Sequence, residues 1–163
     1  MTAESVTPSM LCSLPIFSDL SDKHVEVLAG ISDIRPFSDG QEIFHEGGPR
    51  DYLYVVLSGR IALEMHVPHR GNLRILTVEP PEVLGWSGVS DAAPKRTLTA
   101  RGVAAGKLLA IDAAKLHQAC EADPVLGYAV MHHVVNVVTG RLLATRLQLL
   151  DMFSPSSSEA PHG

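Results

Sequence analysis

Apolar residues along this chain change their period twice. From Leu14 to Ser32 the run LPIFSDLSDKHVEVLAGIS puts Val25, Leu28 and Ala29 on one helical face. Ser21 supplies an N-cap, Asp22 an acidic first turn and Gly30 a stop. From residue 33 the spacing shortens to that of strands. The runs are DIRPF, QEIFHEG, DYLYVVLSGR, RIALEMHV, NLRILTVE, EVLG, RTLTARGVA and KLLAID. Asp39-Gly40, Gly47-Gly48-Pro49, Ser58-Gly59, His69-Arg70-Gly71, Pro80-Pro81 and Gly106 punctuate them. Many short strands with Gly/Pro turns predict a sandwich, roll or barrel. After Asp112 the period is helical again. AAKLHQACEA forms a short helix behind Asp112, and Asp123-Pro124 reads as N-cap and first residue of a helix reaching Phe153.

That last helix carries Met131, Val135, Val138, Leu142, Thr145, Leu149 and Met152 at heptad spacing, with Val134 and Val137 beside them. The stripe is wider than one buried face requires, so two partners are expected. One is the helix's own β-domain, and the other is the same helix of a second subunit. Covering its own domain alone is the alternative. Gly140 fits a close helix crossing. The organisation expected is a flexible N-terminus over 1–13, one domain over 14–153 including the helix 124–153, and a disordered low-complexity tail over 154–163.

Charge and composition narrow the function. Lys and Arg total 13 against 18 acidic residues, a net charge of −5. The cations are scattered, so no nucleic-acid face is expected. Cys12 and Cys120 stand far apart and read as free thiols of a reducing compartment. The N-terminus has no signal-peptide pattern, and polar residues interrupt the apolar stretch 125–150 too often for a bilayer span. A cytoplasmic protein without membrane contact is the expectation. His45, His66 and His69 form no H-x-H, and His132 and His133 point about 100° apart on a helix, so no metal is expected. No nucleophile–base signature marks an enzyme.

Helix, eight short strands, short helix and long helix is the layout of a known family, and local motifs agree. Leu14-Pro15-Ile16-Phe17-Ser18-Asp19-Leu20, Phe44-His45-Glu46-Gly47 and the hairpin Asp51 to Ile61 resemble the cyclic-nucleotide-binding domains of the catabolite-activator type. The stretch Gly85 to Thr97 is similar to that family's phosphate-binding cassette, with matching spacing from Gly85 to Arg96. The resemblance implies a mainly β fold with flanking helices, a double-stranded β-helix (jelly-roll-like) followed by a long C-terminal helix. It also implies a non-catalytic regulatory or sensor module that binds cAMP, cGMP or another small anion in the roll pocket and signals through the C-terminal helix. Backbone N–H groups of a short helical turn and a bidentate guanidinium suit one cyclic phosphate.

By that resemblance the ligand-binding residues are Gly85, Trp86, Ser87, Arg96 and Thr97. Leu76 and Val83 line the pocket, and Thr145 reaches in from the long helix. Trp86 stands where the family has its ribose-binding Glu. An indole offers one donor and no acceptor, and the missing bond is worth about 1.5–3 kcal/mol. Trp86 therefore reads more readily as a pocket plug than as a ligand platform. Arg96 is the candidate anion partner; a surface position, or pairing with Glu82 or Asp91, is its plainer reading, and a one-residue slip would give the role to Lys95. Two further readings stay open. In one the module binds no ligand, Trp86 fills the pocket, and the domain dimerises or docks on another protein. In the other the chain is a fragment of a transcription regulator that lacks its DNA-binding domain.

Overall fold

The structure is a computed structural model that describes residues 4–154. Residues 1–3 of the expected flexible N-terminus and 155–163 of the expected disordered tail lie outside the described residues. The elements are α1 (Pro8–Cys12), α2 (Asp22–Gly30), β1 (Ser32–Phe37), β2 (Glu42–Phe44), β3 (Tyr52–Val67), β4 (Gly71–Val78), β5 (Val83–Leu84), β6 (Thr99–Asp112), α3 (Ala113–Ala122) and α4 (Pro124–Phe153). Short 3-10 turns cover Pro15–Phe17 and Trp86–Val89.

The helix boundaries follow local chemistry. The Ser21 hydroxyl accepts from the His24 amide, Asp112 from Lys115, and Asp123 from Val125 and Leu126, with Pro124 at the first helical position. The lead-in is more ordered than expected. Thr7 caps α1 with Pro8 behind it, and Leu11 is completely buried, so α1 is part of the core.

All pairings are antiparallel, in the order β1-β6-β3-β4, with β2 on β6 and β5 on β3. Six strands replace the eight expected. Ser58-Gly59 and Gly106 do not turn the chain; they are irregularities inside β3 and β6, with register shifts on either side of Ser58 and Arg60. The reason is a backbone-to-backbone crossing. A Cβ on Gly106 would lie 2.0 Å from the Ser58 carbonyl oxygen. Glycine in a strand marks such an approach as often as a turn. The long ladder runs from Tyr52↔Asp112 to Glu64↔Thr99.

Alternation along β3 and β6 builds two cores, one on each side of the sheet. Tyr54, Val56, Leu63, Leu108 and Ala110 face the roll interior with Phe37 and Leu84. Leu53, Val55, Leu109 and Ile111 face the helices and meet Leu11, Leu28, Leu116 and Leu126. Each fully buried Leu or Val contributes about 1.5–3 kcal/mol relative to exposure. The first half of α4 belongs to the second core through Leu126, Val130 and Val134, whereas every residue from Leu142 to Ser154 is exposed.

Candidate functional site

The cassette stretch lies between β5 and β6, at the end of the roll. Gly85 begins it with φ 79°, in the left-handed region. Glycine is demanded twice here, because a Cβ would also sit 2.7 Å from Arg96 Nη1. The 3-10 turn Trp86–Val89 follows, and the chain returns through Pro94-Lys95-Arg96 into β6.

Arg96 is 3% exposed while Lys95 is exposed, so the register favours Arg96. Its side chain borders a surface pocket of about 270 Å³ with Arg35, Phe44, Asp51, Tyr52 and Tyr54, but its hydrogen bonds go to oxygens of the chain itself. Nε donates to the Pro49 carbonyl at 3.2 Å and Nη2 to the Tyr52 carbonyl at 2.5 Å. Nη1 donates to the Gly85 carbonyl at 2.8 Å and to Ser87 Oγ at 3.3 Å. Four of the five N–H donors of a guanidinium are thus accounted for. The group lies over the Phe44 ring, 4.3 Å from its centroid. Its own amide and carbonyl pair with Gly48 and Gly47. Neither Glu82 nor Asp91 forms an ion pair with it among the described residues. Burial pushes its pKa down, and burial pushes that of neighbouring Tyr54 up. A buried cation held by carbonyl dipoles is here a clip joining three segments of chain.

A second guanidinium holds the same turn. Arg50 Nη1 donates to the carbonyls of Ser87 at 2.9 Å and Ser90 at 2.5 Å. Sequence reasoning does not find Arg50, because nothing local marks an arginine in the Pro49-Arg50-Asp51 turn as a partner of residues far along the chain.

The cavity at the start of the cassette is small. Phe44, Leu63, Trp86, Thr97, Leu98 and Arg141 enclose a cavity of about 20 Å³ with Gly85 and Ser87. That suffices for about one water molecule. Trp86 is half-buried and packs against the helix-side core, so it closes this cavity from the α4 side. Thr97 borders the cavity but is exposed. Gly85, Trp86, Ser87 and Thr97 border this cavity, and Arg96 is tied to it through its bonds to Gly85 and Ser87.

The other three expected residues are placed differently. Val83 is buried and Leu76 half-buried, and both line a separate groove of about 370 Å³ between the sheet edge and α4. Thr145 is exposed and its Oγ1 donates back to the Arg141 carbonyl at 2.8 Å, so it reaches no pocket. The residue that does reach in from α4 is Arg141, one turn earlier. Its Nη2 donates to the Val83 carbonyl, and the side chain borders both the cavity and the groove. A signal for it existed: from Pro124 to Gly140 the helix carries no Asp, Glu, Lys or Arg, and Arg141 ends that run. Burial pushes its pKa down as well.

Among the described residues no group of three His, Cys, Asp or Glu is arranged to hold a metal ion. No helix of the described residues is long and apolar enough to cross a membrane. Cys12 is exposed and Cys120 half-buried, and both are free.

Comparison with known proteins agrees with this fold. The family model for the cyclic nucleotide-binding domain matches residues 34–123. A putative cyclic nucleotide-binding protein from Geobacter metallireducens superposes with a TM-score of 0.75 at 26% identity, covering 84% of this chain and 98% of that one. A cyclic nucleotide-binding domain from Methylobacillus flagellatus gives 0.76 at 19% identity over 91% and 83%. An uncharacterized NTE family protein of Mycobacterium bovis is 29% identical over 131 residues, 78% of this chain but 21% of that protein. A putative potassium channel protein of Rhodopseudomonas palustris is 24% identical over 88% of this chain and 34% of its own length. The chain thus spans a fifth to a third of these longer relatives.

Proposed function

Since this chain belongs to the cyclic nucleotide-binding domain family, we propose that it is a non-catalytic regulatory interaction module whose roll is closed to cyclic nucleotides and whose α4 docks on the same helix of a second copy. The observation that carries the first half is the state of Arg96. Its donors are spent on the Pro49, Tyr52 and Gly85 carbonyls and on Ser87; the cavity at Gly85, Trp86 and Ser87 measures about 20 Å³, and the pocket that Arg96 itself borders about 270 Å³. Pockets for small ligands measure about 300–1,000 Å³. A phosphate would have to displace several charge-assisted bonds from a buried cation before forming its own.

The exposed side of α4 supports the second half. Met131, Val135, Leu142, Leu149 and Met152 are large, exposed and spaced as heptad a/d positions. None of these positions carries a charge, so the face is self-complementary, and a two-fold pairing buries it on both copies.

The sensor reading keeps one specific support. Gly85 retains the left-handed turn, and Ser87 and Thr97 stand beside the cavity as a phosphate site requires. Calorimetric titration of the whole chain with cAMP and cGMP separates the two readings. No saturable heat is expected with either nucleotide. Saturable binding that is lost in Thr97→Val would overturn the closed-roll reading and establish the sensor.

A further inference from the structure

The groove between the sheet edge and α4 is the larger space, and its chemistry differs from that of the cassette. Leu76, Val83, Val137 and Ala144 give it an apolar floor, and about 370 Å³ places it within the range of small-molecule sites. Gly140 lines it, and a Cβ added there would meet nothing within 4 Å, so there is room for a side chain at that point of the wall. Arg141 stands at the end that adjoins the cassette cavity.

The two inward arginines are in opposite states. Arg96 has four hydrogen bonds, whereas Arg141 has one among the described residues, to the Val83 carbonyl. No fully buried side-chain nitrogen or oxygen among the described residues lacks a partner. The remaining Arg141 donors therefore touch accessible space, and the spaces this side chain borders are the groove and the small cavity. A guanidinium in an apolar wall is stabilised most by an anion that fills its fork.

Glu82 is the nearby carboxylate. It sits on the groove rim, exposed, and its Oε1 accepts from the Glu79 amide at 3.3 Å. One negative charge already at the rim disfavours a dianion such as a phosphate monoester, and the apolar floor calls for a hydrocarbon tail. We propose that this groove binds an amphipathic monocarboxylate, with its carboxylate on Arg141 and its tail along Leu76, Val83, Val137 and Ala144. The proposal goes beyond the interaction reading and requires neither cyclic-nucleotide binding nor its absence.

The test uses the whole chain and sodium octanoate below its micelle concentration, followed by calorimetry and thermal shift. Octan-1-ol supplies the tail without the charge, and acetate the charge without the tail. Saturable octanoate binding is expected, at least tenfold tighter than octanol, with no measurable binding of acetate at the same concentrations. Arg141→Gln weakens octanoate at least tenfold. Gly140→Leu fills the groove, leaves the guanidinium in place and also abolishes binding. Sedimentation of the same samples reports self-association separately. An absence of saturable octanoate binding overturns the site, and so does binding that survives either substitution in a folded variant.

Discussion

His24 on α2 and Asp123 at the start of α4 meet at 2.6 Å, Nε2 to Oδ2, and join two helices 99 positions apart. The same carboxylate caps α4 through its other oxygen, at 3.1 Å from the Val125 amide and 3.4 Å from that of Leu126. The hydrogen bond from His24, with those two amides, holds the Asp123 pKa below its ordinary 3.8. A depressed carboxylate stabilises the fold above its unfolded pKa, and that contribution is lost as pH falls through the folded value. Resistance of the wild type to urea is therefore expected to weaken as pH drops below about 4. Asp123→Asn keeps the cap and shows a flatter pH response in that window, whereas Asp123→Ala lowers the midpoint at neutral pH as well. Equal acid sensitivity in wild type and Asp123→Asn would refute the link.

Arg96 is expected to matter for stability before it matters for any ligand. Arg96→Gln leaves the buried Gly85 carbonyl and the partly buried carbonyls of Tyr52 and Pro49 without their donor. An unsatisfied buried acceptor costs about 1–3 kcal/mol, and water can reach the other two, so a loss of about 1–3 kcal/mol is expected in denaturant titrations. Arg96→Lys recovers little of it, since an ammonium cannot span the same fork. A loss under about 1 kcal/mol in Arg96→Gln would show that the clip is idle.

The free half of α4 can be tested separately. Leu142→Glu and Leu149→Glu each place a charge on the proposed two-fold seam, at residues 50% and 49% exposed. Sedimentation velocity should show a dimer for the wild type and a monomer for either variant. Stability of the isolated domain should change by no more than about 0.5 kcal/mol. A wild type that sediments as a monomer at high concentration rules out the seam.

Two glycines should respond in opposite directions to alanine. Gly106→Ala drives a methyl to 2.0 Å from the Ser58 carbonyl oxygen, where only backbone movement relieves it. A destabilisation of several kcal/mol, or failure to fold, is expected from overpacking of that kind. Gly30 ends α2, and a methyl added there would meet nothing within 4 Å, so Gly30→Ala should stabilise by about 0.5–1 kcal/mol. Thermal unfolding of the two variants reads both signs.

Caps and the family cassette are legible in the sequence because their signals are local. Ser21, Asp112 and Asp123 each act on amides within three residues. Features that depend on what lies opposite are not legible. Gly59 looks like a turn glycine, and only the presence of Gly106 across the ladder makes it a bulge inside one long strand. The resemblance brings Thr145 to the pocket from the long helix, but it identifies the helix and not the turn that makes the contact. The contact falls one turn earlier, on Arg141. Cassette spacing identifies Arg96 as inward-facing. That its donors go to Pro49 and Tyr52 depends on a loop more than forty positions away.

The ladder joining β3 and β6 also constrains how the molecule is made. Tyr52 pairs with Asp112, and the closing strand is the last of the sheet to be synthesised. Until it arrives, the apolar run from Leu53 to Val56 has only the two-residue β5 against its first half. At roughly 5–20 residues per second of translation, that edge waits on the order of seconds without its main partner. Distant pairing also slows refolding of the finished chain, since loop closure precedes the contacts that reward it. The emergence of Asp112 is therefore the point in synthesis at which this apolar edge can gain its full partner.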